Sequence, residues 1–153
     1  MAMTADEKPK HPAEIFFSSN HPISSYVSVR FVGVENHVLT IALEAPAAFV
    51  DNEVTGEVHS GLATLILDTV LGGAVMGEME KIQPIATVGL TTQHMRRAVK
   101  GEPLLCRARF EGIHRDMAHM SGMLVNADTG ETLSTATGTF MLGTRSKPLG
   151  ARL

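Results

Sequence analysis

The stretch GEVHSGLATLILDTVLGGAVMGEM, residues 56–79, is the one long apolar run in the chain, and it constrains what the rest must do. Its Ala, Leu and Met content favours helix over strand, and Ser60 stands where an N-cap hydroxyl can accept from the free amides of a first turn. Leu62, Leu65, Ile66, Leu67, Val70, Leu71, Val75 and Met76 fall on nearly all sides of such a helix, which predicts burial all round. Other elements must therefore wrap it. Asp68, two adjacent glycines and Glu78 make the run a poor bilayer span, which takes about 20 predominantly apolar residues. The acid inside it needs a reason. An ionised carboxylate in an apolar helix is costly unless hydrogen-bonded or wet, so Asp68 is either a structural acid bonded to backbone or to a neighbouring subunit, or a chemical group.

The flanking periodicity supplies the wrapping. Residues 26–34 and 37–44 are rich in β-branched side chains, and residues 33–36 suit a hairpin connection. Residues 45–58 carry Pro46, Asp51, Asn52 and Gly56, a connection with a short helical turn at 46–50. Beyond residue 84, strands are predicted at 85–96, 104–114, 117–126 and 132–142, separated by Lys100-Gly101-Glu102-Pro103, Arg115-Asp116 and Ala127-Asp128-Thr129-Gly130. Two strands, one helix and four strands describe an α+β fold, a mostly antiparallel sheet curled around a central helix.

At 153 residues the chain suits one domain, placed at 21–143. Residues 1–20, opening MAMTADEKPKHPAE, are polar and Pro-interrupted, with no apolar core of a secretory signal; they are expected as a flexible arm. Residues 144–153 lose all period and are expected as a tail. A formal net charge of −3 gives no general attraction to nucleic acid, and no membrane partner is implied. A single cysteine, Cys106, cannot form an internal disulfide and points to a reducing compartment, the cytoplasm. Seven histidines show no metal spacing, since His94, His114 and His119 belong to different strands, so no metal is expected.

The segment Gly56-Glu57-Val58-His59-Ser60-Gly61, Asp68 nine positions after His59, and the strand from Thr87 leading to Lys100-Gly101-Glu102 together resemble the hotdog-fold acyl-CoA thioesterases of the phenylacetate-degradation (PaaI-like) family. The resemblance covers residues 27–142. It implies a hotdog fold, hydrolysis of an acyl- or aryl-CoA thioester to free acid and CoA, no cofactor beyond the CoA carried by the substrate, and a homodimer or homotetramer. It casts Asp68 as general base or nucleophile and the N–H groups of Ser60 and Gly61 as donors to the thioester oxygen. Glu53, His59, Thr87, His94, Gly112, His114 and Arg115 become substrate-binding candidates. Two positions depart from the family pattern: Ser60 replaces a glycine, and Glu53 replaces an Asn or Gln that can donate, whereas an ionised Glu only accepts. Arg97 also stands where a Pro is frequent.

These roles fit elementary chemistry. Thioester hydrolysis needs a base or nucleophile near the carbonyl carbon and a donor aimed at the oxygen that becomes negative. The start of a helix offers that donor. Asp68 lies roughly 12 Å from the helix start at about 1.5 Å per residue, too far for both to serve one carbonyl, so one chain cannot complete the site; the resemblance implies that two chains share it. His114 and Arg115 are candidates for the CoA phosphates, with Arg96, Arg97 and Lys100 as a second basic cluster. Two alternatives stay open: a hotdog dehydratase or hydratase, which moves a proton at carbon and wants a His base beside a carboxylate, and a non-catalytic acyl-CoA binding protein.

Overall fold

Alternation along the strands decides where the core sits. The computed structural model describes residues 10–19 and 21–145, and within them a six-stranded antiparallel sheet packs one face onto a long helix. The strands are β1 (Val29–Glu35), β2 (Val38–Glu44), β5 (Ile85–His94), β6 (Pro103–His114), β7 (Met117–Asn126) and β8 (Thr132–Leu142), in the spatial order β1-β2-β6-β7-β8-β5. A small separate hairpin pairs β3 (Val50–Asn52) with β4 (Glu57–Val58). The long helix α2 spans Gly61–Gly77. This is the α+β hotdog architecture.

Every second residue of the central strands faces α2: Leu39 and Ile41, Cys106 and Ala108, Ala118 and Met120, Ala136 and Phe140 are all buried. Gly122 continues the β7 row because α2 lies so close that a Cβ there would sit 2.5 Å from Leu71 Cδ1. The helix answers with Leu62, Ala63, Ile66, Leu67, Val70, Leu71, Ala74 and Val75, all buried. The face carrying Gly61, Thr64, Leu65, Asp68 and Thr69 is left uncovered, with Leu65 37% exposed. The expectation of burial on all sides is thus corrected. The sheet curls over one side only, so the helix is amphipathic in where it is covered and not in its composition.

The described part of the expected loose arm, residues 10–19, is ordered differently from that expectation. Pro12–Ser18 form a helix, α1, with Ala13 and Phe17 buried. Proline at the first helical position presets φ, and the His11 ring caps the turn by accepting from the Ala13 N–H at 3.2 Å. Phe17 then lies on α2 at Gly73, where a Cβ would come within 2.7 Å of its ring. Residues 1–9 and 20 of that arm, and 146–153 of the tail, lie outside the described residues.

Smaller differences concern ends. The first strand begins at Val29 behind a 3-10 turn at Pro22–Ser25, and β5 stops at His94. The expected helical turn in the connection is Ala47–Phe49, and the rest of that connection forms β3 and β4 around a turn. Among the described residues no helix is long and apolar enough to cross a membrane.

Candidate active site

The uncovered face of α2 and the free edge strand β5 run side by side and form one open strip. At one end of it, the Thr87 hydroxyl donates to Asp68 Oδ1 at 2.9 Å. At the other, His94 Nε2 lies 3.4 Å from the Thr64 hydroxyl, one helical turn before Asp68. Asp68 is half-buried and Thr87 exposed, so the carboxylate is wet on one side and hydrogen-bonded on the other. That resolves the cost of an acid in this helix. Oδ2 of Asp68 has no partner among the described residues.

The helix entrance is built differently from the expectation. Ser60 has helical backbone angles (φ −60°, ψ −21°) and its hydroxyl makes no capping bond. The cap is the His59 ring, whose Nδ1 accepts from the Gly61 N–H at 3.0 Å. Gly61 is what permits this, since a Cβ there would meet His59 Nδ1 at 2.8 Å and Cε1 at 3.2 Å. Of the two N–H groups named as oxyanion donors, Gly61's is therefore committed to His59. That of Ser60 has no partner among the described residues.

His59, Ser60 and His94 line one cleft with Leu62, Ala63 and Ser134. Its free space is about 10 Å³, room for about one water and not for an acyl group. Ser134 was missed by sequence reasoning, although a serine in the inward row of β8 carried a signal. It is the one buried polar or charged residue among those described, and its hydroxyl lies 2.9 Å from His94 Nδ1. Residues 94 and 134 are direct partners across β5 and β8.

The remaining candidates lie apart. Glu53 is exposed at the tip of the β3–β4 turn with no partner among the described residues, while Asn52 Oδ1 holds that turn by accepting from the N–H groups of Val54 and Thr55. Gly112 sits at a β-bulge in β6 with φ +144°, a conformation that glycine readily supplies, so its backbone freedom has a structural use. His114 and Arg115 are exposed at the β6–β7 turn, at the Ile85 end of β5 and opposite the helix entrance, with Arg115 at φ +55°. One chain thus brings Asp68 to Thr87 and His94 to the entrance, and leaves Glu53 and the β6–β7 turn separate from both.

The second basic cluster is largely occupied. Arg96 donates to Glu102 at 2.6 Å and to Glu131 at 2.7 Å, and Arg97 pairs with Asp51 at 2.8 Å. The Arg96 guanidinium, with added help from Asn126 and the Val99 N–H, holds the Glu102 carboxyl down at about 2. These charges tie loops together, and of the three cations Lys100 alone has no ion-pair partner among the described residues. A groove of about 500 Å³, lined by Arg107, Arg109, Thr91 and Gln93, opens on the sheet's outer face, with the sheet between it and α2.

A sequence model of the Thioesterase superfamily matches residues 55–133, just over half of the 153. No curated protein sequence matches the chain. Among solved structures, a phenylacetic acid degradation-related protein from Ralstonia eutropha JMP134 is 26% identical with a TM-score of 0.72, covering 86% of this chain and 99% of its own. The E. coli PaaI protein of the phenylacetic acid degradation operon shares the fold at 14% identity and TM-score 0.70, covering 80% and 85%. A thioesterase protein with coenzyme A from Streptococcus pneumoniae TIGR4 shares it at 16% identity and TM-score 0.67, covering 78% and 89%. The family match runs through the helix entrance, Asp68 and β5, and by it the chain belongs to the thioesterase superfamily, as a thioester hydrolase of hotdog fold.

Proposed function

We propose that the protein hydrolyses acyl-CoA thioesters at a site shared between two copies of the chain, with Asp68 of one copy acting on a thioester whose oxygen is held at the helix entrance of the other. The observation that carries this reading is the Asp68–Thr87 pair on an uncovered strip beside a free sheet edge. Thr87 fixes one carboxylate oxygen, leaving the other to act. It either takes a proton from water as the water oxygen adds to the carbonyl carbon, or itself adds to that carbon before water releases the acid. Negative charge then collects on the thioester oxygen, which the Ser60 N–H and the positive end of the helix receive. The C–S bond breaks, the CoA sulfur takes the proton, and the products are free acid and CoA.

The substrate class rests on the family and on the Streptococcus pneumoniae neighbour that holds coenzyme A. In this reading the exposed His114 and Arg115 meet the charged end of the coenzyme. The test is hydrolysis of a panel of aliphatic and aryl acyl-CoA thioesters, phenylacetyl-CoA among them, followed by free-thiol detection. Thiol release at a catalytic rate is expected. Binding without release would favour an acyl-CoA carrier, and loss or gain of water across the acyl chain without thiol release would favour a dehydratase or hydratase.

A further inference from the structure

We infer that the His94 imidazole, oriented by the buried Ser134 hydroxyl, is a second hydrogen-bond donor to the thioester oxygen. The inference rests on the shared-site hydrolysis above and names the donor that neither Glu53 nor Gly61 provides. Glu53 is an exposed acid at a turn tip, and the Gly61 N–H is held by His59. His94 lines the same cleft as Ser60.

The tautomer follows from where protons can go. Ser134 is fully buried, and His94 Nδ1, at 2.9 Å, is the partner its hydroxyl has among the described residues. A hydroxyl carries one proton to donate, and burying it without an acceptor is costly. Ser134 therefore donates to Nδ1, and the neutral ring carries its own proton on Nε2. Were Nδ1 the donor, the serine proton would have no side-chain acceptor among the described residues.

That Nε2–H is anchored but weakly held. It faces two hydroxyls, Thr64 and Thr92, each at 3.4 Å, beyond the length of a good N–H···O bond. An acceptor gaining negative charge competes easily with both. Thr64 lies on α2 one turn beyond Ser60, and Ser60 and His94 line one cleft, so in this inference a thioester oxygen at the helix entrance is received by both N–H groups. Ser134 acts through His94 and is a positioning residue.

The experiment compares wild type, His94→Ala, His94→Gln and Ser134→Ala on the panel thioester that wild type hydrolyses fastest. His94→Ala is expected to lower kcat by about 10²-fold with KM little changed, the scale of one lost oxyanion donor. The amide of His94→Gln restores a donor and should recover much of that loss. Imidazole ¹⁵N spectra of wild type should show His94 protonated at Nε2, and Ser134→Ala should mix the tautomers; this reading stands even where a variant folds poorly. Unchanged kcat in folded His94→Ala, or an Nδ1–H tautomer in wild type, overturns the inference and leaves the hydrolysis standing. Absence of thiol release by wild type removes both.

Discussion

Thr87 Oγ1 donates to Asp68 Oδ1 at 2.9 Å, joining the central helix to the free edge strand of the sheet across 19 residues of chain. The bond orients the carboxyl group and leaves its second oxygen without a partner among the described residues. Asp68→Asn keeps the size and much of the packing but removes the basic oxygen, so kcat should fall by about 10²–10⁴-fold with the melting temperature held or raised. Thr87→Ala should cost less, about tenfold, because it frees the carboxylate to rotate without removing it. A structural acid predicts the opposite for Asp68→Asn: near-normal turnover per folded molecule and a lower melting temperature. Turnover and thermal unfolding on one preparation decide.

The open strip also makes a prediction about assembly. Leu65 is 37% exposed on α2, Val88 is 55% exposed on β5, and one edge of β5 pairs with no strand among the described residues. Edge strands pair readily with other chains, and a lysine on them is a common means of preventing it. Light scattering should give a dimer or larger, and Val88→Lys should shift it towards monomer with a parallel loss of turnover. A fully active monomer would remove the shared site.

Much of this was legible in the sequence, and the failures have physical causes. Alternation located β6, β7 and β8 to within a residue because each has one buried row. The spacing from His59 to Asp68 was readable because helical geometry fixes it. Which face of α2 stays open was not, since Leu62 and Leu65 look alike in composition and only the curl of the sheet separates them. The helix at Pro12–Ser18 was hidden by the charged residues before it, although His11-Pro12 followed by Ile15-Phe16-Phe17 carries both a start signal and an apolar face. His59 as the cap of Gly61 needed the ring's position, and Ser134 needed the register of β5 on β8.

Arg115 tests the coenzyme handle. Its guanidinium is exposed at the β6–β7 turn, and no ion pair among the described residues depends on its charge. Arg115→Ala should raise KM for acyl-CoA several-fold while leaving a short pantetheine thioester nearly unaffected. Equal effects on the two substrates would show that the residue does not meet the phosphates.

Glu102 gives a dependence on acid. Held at about 2 in the fold by Arg96, against 4.5 for an ordinary Glu, its carboxylate contributes stability that is fully present above about pH 4.5. The contribution is lost as pH falls through 4.5 towards about 2. Glu102→Gln should therefore melt several degrees below wild type at pH 7, with the gap closing across that acid window. A gap that stays constant from pH 7 to pH 3 would mean that the amide's lost packing, and not charge, sets the difference.

Gly61 separates function from stability most cleanly. The residue has ordinary negative φ at the first turn of α2, so an alanine meets no backbone strain and gains helix propensity. Its cost is local, because the new Cβ would lie 2.8 Å from His59 Nδ1 and must push the ring off its capping bond. In the proposed mechanism the Ser60 N–H next to it in the chain receives the thioester oxygen. Gly61→Ala should thus keep its melting temperature within about 3 °C of wild type, the net of one lost cap and one better helix former. Its kcat/KM should nevertheless fall by tenfold or more, and ¹⁵N spectra should report a changed His59 ring. Normal kcat/KM in a variant whose His59 signals have moved would place the reacting thioester away from the helix entrance and take the oxyanion role from Ser60.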